Sequence, residues 1–409
     1  MTELFTWTPD SWRNYQAKQQ PDYHNIDEFN RVIAQIHKLE VITTATKIAK
    51  LSQLLQYVAN GEALIIQAGD CAESFSEFSE ARVVAFAELL TKMQHLVIKT
   101  SNKDVIKLGR IAGQFAKPRS NSSEIINLQI LPVYRGDIIN GYAANIEERT
   151  ADPKRMLLAY KQARDTKQML TKFDTQAVNL HAGYHTTFIS HEALLLPYEQ
   201  AFIRQSNTIN WYSGAADSLW IGKRTAEPQS AHIEMLRGIA NPIAIKVCAD
   251  MTSNDLIRII NKINPHNLTA KVMLVIRMGI HINKQLPKLI RAIKQENKSV
   301  IWLTDPMHAN TYKASNGYKT RSLTAIYAEI KNFLKIIHYY DCFAGGIHLE
   351  VSPLDVTECI DTNYTSEEQL AVNYQTLCDP RLNPQQALAV TKFFVTCLQK
   401  YQISHNIIS

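Results

Sequence analysis

From residue 61 onward, short apolar runs alternate with longer amphipathic stretches, and this rhythm is the signature of βα units. Eight runs can be read as buried strands, at 63–67, 105–108, 185–189, 218–222, 243–247, 272–276, 300–303 and 346–350. Eight parallel strands with helical connections predict an α/β chain folded as a (β/α)8 TIM barrel. The third strand is separated from the second by a long interval in which Asp152-Pro153-Lys154-Arg155-Met156 opens a helical stretch. That interval is expected to carry extra elements in the loop after strand 2. Residues 1–60 form a different unit: an aromatic-rich extended arm around Trp7 and Trp12, then helical patterns at 26–37 and 43–59. We expect this N-terminal extension to pack on the barrel or at an oligomer interface, with residues 61–409 forming the catalytic barrel.

The chain has 409 residues, 45% of them apolar and 20% charged, which suits a folded globular enzyme and argues against disorder. The longest apolar runs are too short to span a bilayer, and Met1-Thr2-Glu3-Leu4-Phe5-Thr6 lacks the basic and apolar regions of a signal peptide. The expected location is therefore the cytoplasm, with no membrane partner. Six scattered cysteines show no C-x-x-C spacing, against both a zinc ribbon and a secreted disulfide scaffold. A net charge of +6 without basic blocks interleaved with aromatics gives no support for nucleic-acid binding. Excess positive charge can instead serve phosphorylated substrates.

In a parallel barrel the working groups sit at the C-terminal ends of the strands. Four distant segments end on side chains able to hold a transition metal: Gly69-Asp70-Cys71, Asp305-Pro306-Met307-His308, His348-Leu349-Glu350 and Cys378-Asp379. Basic residues crowd the same strand ends: Arg110 with Lys117, Arg119 and Ser120 after the second, Lys223 and Arg224 after the fourth, Lys246 on the fifth and Arg277 after the sixth. A ring of Arg and Lys beside a metal implies an anionic substrate. Taken singly, each residue has a plainer explanation: Cys71 as a small core residue, His308 and Glu350 as solvated groups, Asp379 before Pro380 as a turn former. Their coincidence at strand ends is what favours a site. One thiol, one imidazole and two carboxylates suit Mn²⁺, Fe²⁺, Co²⁺ or Zn²⁺ better than Mg²⁺ or Ca²⁺. Beside phosphate clamps, such an ion would act as a Lewis acid on a substrate carbonyl.

Longer motifs carry a resemblance. Gly69-Asp70-Cys71-Ala72-Glu73-Ser74-Phe75, Gly109-Arg110-Ile111-Ala112-Gly113-Gln114-Phe115-Ala116-Lys117-Pro118-Arg119-Ser120, Tyr134-Arg135-Gly136-Asp137, Ser190-His191-Glu192-Ala193-Leu194, Asp305-Pro306-Met307-His308 and Cys378-Asp379-Pro380-Arg381-Leu382-Asn383 resemble the class II (plant-type) 3-deoxy-D-arabino-heptulosonate 7-phosphate (DAHP) synthases. The match runs nearly end to end. It implies a TIM barrel that condenses phosphoenolpyruvate with erythrose 4-phosphate at the entry to the shikimate pathway. By motif, the metal ligands would be Cys71, His308, Glu350 and Asp379, with Mn²⁺ the first choice of ion. Phosphoenolpyruvate would be held by Arg110, Arg224, Lys246 and Arg277 with the backbone at Lys223. The aldose phosphate would be held by Lys117, Arg119 and Ser120 with Lys319 or Arg321. Arg110, Lys246 and Arg277 are the expected catalytic residues, Lys246 carrying protons because crowding by arginines should lower its pKa.

The chain departs from the family pattern near the site. Gly222-Lys223-Arg224-Thr225 stands where Gly-Glu-Arg-Thr is usual, Cys248-Ala249-Asp250 replaces Gly-Pro after Lys246-Val247, and Asp217 replaces a typical histidine. The chain is also short for the family, resembling compact members found with secondary-metabolite (phenazine-type) pathways, so weak feedback by aromatic amino acids is expected. Two alternatives follow: an amino or imino sugar phosphate as acceptor, or a degenerate barrel that binds metabolites without turnover. Resemblance also implies a homo-oligomer, dimer or tetramer. Cys378, next to Asp379, is expected to lie near Cys71 and to join it on oxidation.

Overall fold

Successive side chains on a strand face opposite ways, and in this chain the two faces carry different chemistry. The computed structural model describes residues 6–176, 185–361 and 365–406. Its eight parallel strands are β1 (Ala63–Gly69), β2 (Asp104–Arg110), β3 (Thr187–Glu192), β4 (Ser218–Ile221), β5 (Ile243–Cys248), β6 (Val272–Arg277), β7 (Ile301–Thr304) and β8 (Ala344–Glu350). They close into a barrel in sequence order, β8 pairing with β1. Outward positions such as Leu64, Ile66, Ile245, Leu274 and Ile347 join the main core beneath the surrounding helices. Inward positions change character along the axis. Ile65, Ile106, Phe188, Met273 and Ile301 fill the N-terminal half, whereas Arg110, Glu192, Lys246, Arg277, Asp305 and Glu350 stand at the opposite end.

The apolar half is closed from below by the helix Ala45–Ala59, whose Leu51, Leu54, Leu55 and Val58 pack against the inward strand residues. Burying each such side chain stabilises the fold by about 1.5–3 kcal/mol. The arm before it lies along the barrel wall: Trp7 Nε1 donates to the Glu234 carbonyl and Trp12 Nε1 to Gln200 Oε1, both at 2.9 Å. Ser79, Ser230 and Thr252 cap the helices after β1, β4 and β5 by accepting from the N–H three residues on, the role these residue types are chosen for.

Between β2 and β3 lie the expected extra elements: a hairpin of Ser123–Ile126 with Gln129–Pro132, a short helix Ile146–Arg149 and a long helix Arg155–Gln176. The third strand lies further along than 185–189. The Asp174 carboxylate accepts from the backbone N–H and hydroxyl of Thr187 at 2.6 and 3.0 Å and fixes the strand's entry there. Beyond Ile189 the strand continues through Ser190 and Glu192, whose polar side chains face the interior and so escape a search for apolar runs.

Lys271, just before β6, joins neighbouring strands at the barrel's base by donating to the carbonyls of Ile239 and Asn241 at 2.5 and 2.6 Å. Burial pushes its pKa down to about 7, so between pH 7 and its ordinary value near ~10.4 the unfolded chain holds a proton that the native chain lacks. Lys271 therefore adds stability as pH rises through that window. The urea midpoint of the wild type relative to Lys271→Met should climb between pH 7 and 9.5; a difference constant with pH contradicts this.

Candidate active site

Cys71, His308 and Asp379 are presented by loops with their own anchors, and Glu350 by the end of β8. Asp305 follows β7, and its carboxylate accepts from the N–H groups of Met307 and His308 at 3.1 and 3.2 Å, the local turn that an Asp-Pro start favours. The same carboxylate holds His308 Nδ1 at 2.8 Å, which turns Nε2 toward Glu350 Oε1 at 2.9 Å. Gly69 ends β1 at φ +152°, where an added Cβ would lie 2.4 Å from the Arg110 carbonyl oxygen. That close approach lets the chain turn from the strand into Asp70 and Cys71. The loop bearing Asp379 is fixed through Arg381, which donates to Glu358 Oε1 and Oε2 at 2.8 and 3.0 Å and to Asp70 Oδ1 at 2.7 Å. Arg381 thus ties the Asp379 loop to the Cys71 loop.

Glu350 lies at the electrostatic centre. It is fully buried, yet His308, Arg110 at 2.9 Å and Arg321 at 2.7 Å surround its two oxygens. Burial would raise its pKa, but His308, Arg321 and Arg110 outweigh that and hold it well below the usual carboxylate range. Asp379 behaves alike: burial opposes ionisation, and Lys117 at 2.5 Å, with Arg321 and Lys319, overcomes it. The Lys117 ammonium also contacts Cys71 Sγ. Burial works against its charge, and Asp379, Cys71 and Glu350 more than restore it. The space between Cys71 and Asp379 is accordingly suited to a cation, and the sulfur, imidazole and carboxylate donors around it match transition-metal preference.

Cys71, His308, Glu350 and Asp379 line one cavity of about 210 Å³, together with Arg110, Lys117, Lys223, Arg224, Lys246 and Arg277. A second cavity of about 260 Å³ is lined by Lys117, Arg119, Ser120, Arg224, Lys319 and Asp379. Lys117, Arg224 and Asp379 belong to both. Ser120 Oγ accepts from Arg224 Nη2 at 2.7 Å, while the backbone of Arg119 is held on both sides by the Gln19 amide. Lys246 lies 3.2 Å from Asp305 and 3.3 Å from the His308 ring nitrogens. Burial is the main cause of its pKa falling to about 8, against Asp305, with Arg110 and Arg277 contributing less. The arginine crowding expected from sequence is therefore the lesser cause.

Arg321 lines neither cavity. It is fully buried, pairs with Glu350 and donates to the Pro380 carbonyl and, at 2.8 Å, to Thr311 Oγ1, so it supports the site from behind. Two departures from the family pattern meet: Lys223 pairs with Asp250 at 2.8 Å at the exposed rim. Asp217 lies in a buried cluster with Thr43, Lys47 and Lys167 outside the barrel. Sequence reasoning passed over His348 and Glu192, both facing inward. His348 Nδ1 meets Gln67 Oε1 at 2.7 Å and its Nε2 meets Arg110 Nη1 at 2.5 Å. Its position two residues before Glu350 was the available signal. Asp305, His308 and His348 also gather with ligand atoms within 4.8 Å of one another. Lys246 faces Asp305 and Arg110 faces His348.

The profile of the Class-II DAHP synthetase family matches residues 7–187 and 174–395. The chain is 36% identical over 383 residues to a probable phospho-2-dehydro-3-deoxyheptonate aldolase of Pseudomonas fluorescens, covering 93% of this chain and 95% of that protein. It is 33% identical to phospho-2-dehydro-3-deoxyheptonate aldolases of Neurospora crassa, over 93% of this chain and 92% of that one, and of Streptomyces coelicolor, over 92% and 94%. The chain belongs to the Class-II DAHP synthetase family. A solved phospho-2-dehydro-3-deoxyheptonate aldolase from Francisella tularensis SCHU S4 shares the fold, with a TM-score of 0.54 at 16% identity over 91% of this chain and 96% of that one.

Cys71 and Cys378 pack with Tyr134 in a small buried cluster, and both are free thiols. Oxidation of metal-depleted protein should join them. Thiol counting with peptide mapping should show both lost together; two free thiols at these positions contradict the pairing.

Proposed function

We propose that the chain condenses phosphoenolpyruvate with erythrose 4-phosphate and water to give 3-deoxy-D-arabino-heptulosonate 7-phosphate and phosphate. The observation that carries this reading is the pair of cationic cavities sharing Lys117, Arg224 and Asp379, which suits a reaction between two phosphorylated substrates. The named activity of relatives that match nearly end to end supports it. Arg110, Arg224, Lys246 and Arg277, with the backbone at Lys223, hold the phosphoenolpyruvate phosphate and carboxylate. Lys117, Arg119, Ser120 and Lys319 take the aldose phosphate, and Arg321 is reassigned to holding Glu350.

Cys71, His308, Glu350 and Asp379 hold one divalent ion, Mn²⁺ ahead of Co²⁺, Fe²⁺ or Zn²⁺. When bound, such an ion polarises the aldehyde oxygen. The fixed guanidinium groups orient the enol so that its C3 attacks the aldehyde, and they need no reorganisation as charge moves. Lys246, beside His308, delivers the proton to the new alkoxide. The described residues include no helix long and apolar enough to cross a membrane. A buried thiol ligand calls for a reducing compartment, so we place the chain in the cytoplasm. It acts there as a homo-oligomer, dimer or tetramer, as the family resemblance implies.

Metal-depleted protein reloaded with Mn²⁺ should release phosphate only when both substrates are present. Arg119→Met should raise KM for erythrose 4-phosphate on the order of 10- to 100-fold, the worth of one charge-assisted hydrogen bond, and leave KM for phosphoenolpyruvate within about twofold. Equal phosphate release from phosphoenolpyruvate alone, or an effect of Arg119→Met confined to phosphoenolpyruvate, contradicts these assignments.

A further inference from the structure

Three acids line the first cavity: Glu192, Glu350 and Asp379. Glu350 is engaged by Arg110, Arg321 and His308, and Asp379 by Lys117 and Lys319. Glu192 is different. It is the last residue of β3, two positions beyond the inward-facing Ser190, so strand alternation turns it into the barrel mouth. Its backbone N–H donates to Gln114 Oε1 at 2.9 Å and fixes the strand end. Its Oε1 is buried and has no hydrogen-bond partner among the described residues. Gly222 makes the room, since a Cβ there would lie 2.0 Å from Glu192 Oε1.

The cations acting on Glu192 are Lys246, Lys117, Arg110 and Arg224, the groups assigned to the substrate's anionic ends. A carboxylate among them cannot itself receive a phosphate or a carboxylate. It can face a developing positive charge and a water molecule. Burial lifts its pKa above the ordinary carboxylate value even against those four cations, which makes it a better base than an exposed glutamate.

We propose that Glu192 is a further catalytic residue, the base that takes a proton from the water adding to C2 of phosphoenolpyruvate. This rests on the condensation assigned above. As C3 bonds to the aldehyde carbon, the enol double bond is consumed and C2 becomes electron-poor. A lone pair of water forms the new C2–O bond, and one water proton passes to Glu192. The C2 hydroxyl then collapses to a ketone, losing its proton as the bond between C2 and the phosphate oxygen breaks and its electron pair leaves with phosphate. Of the two water protons, one ends on the former aldehyde oxygen, by way of Lys246, and the other on the departing phosphate.

The test compares wild type, Glu192→Gln, Glu192→Asp and Glu192→Ala, all loaded with Mn²⁺, by kcat, by both KM values and by direct phosphoenolpyruvate binding. Glu192→Gln should lower kcat on the order of 100-fold or more, the usual worth of a general base, with phosphoenolpyruvate affinity within about threefold of wild type. Glu192→Asp should recover part of the loss, and added formate should raise the rate of Glu192→Ala. A merely structural role would move affinity with rate and would show no rescue. Wild-type turnover with Glu192→Gln within threefold of it overturns the role of Glu192 alone. A wild type that forms no heptulosonate phosphate overturns the reaction and this role together.

Discussion

Glu350 is a fully buried carboxylate that stays ionised because two guanidinium groups and an imidazole, from three different parts of the chain, converge on it. An unpaired charge at that depth would cost several kcal/mol. His308, Arg110 and Arg321 must all be in place for it, and each depends on a further anchor. Asp305 orients His308, the Asp70 carbonyl accepts from Arg110 Nε and Nη2 at 3.1 and 3.0 Å, and Thr311 holds Arg321. Removing either guanidinium would leave buried charge uncompensated. The network therefore binds the loops after β1, β2, β7 and β8 into one unit, and it holds much of the charge at the barrel mouth in pairs.

The barrel divides these demands along its axis. Its lower half, filled by Ile65, Phe188 and Met273 and plugged by Leu51, Leu54 and Leu55, supplies apolar burial. Its upper half gives up burial in favour of Arg110, Lys246, Arg277 and Glu350. The helix Ala45–Ala59 is thus part of the machinery, since it closes the half that keeps the strands together beneath a costly polar layer. Charge alterations at the rim follow the same rule. Lys223 and Asp250 pair with each other, so a reversal of charge at one position is met by its opposite on the neighbouring loop.

Much of this was legible in the sequence, and the parts that were not share a cause. Strands rich in Val, Ile and Leu on their outward face, such as β5 and β6, announced themselves as apolar runs. β3 was displaced because Ser190 and Glu192 are strand residues with interior-facing polar side chains. His348 lies inside a run that was read correctly, but only the closed barrel shows its ring meeting Gln67 and Arg110. Cys71, His308, Glu350 and Asp379, chosen from strand-end position and motif, do line a common cavity. Arg321 could not be placed from sequence, since only packing shows that its guanidinium turns away from both cavities toward Glu350. The cause of the lowered pKa of Lys246 was likewise beyond the sequence, because depth of burial depends on the closed barrel around it.

The central claim is that a sulfur from the first strand's loop shares a metal with donors from the last strands. X-ray absorption spectroscopy of the Co²⁺-loaded protein tests it most directly. One sulfur per metal among nitrogen and oxygen neighbours is expected, and it should vanish in Cys71→Ser. A shell of nitrogen and oxygen alone in the wild type would contradict the claim and shift the ion to Asp305, His308 and His348.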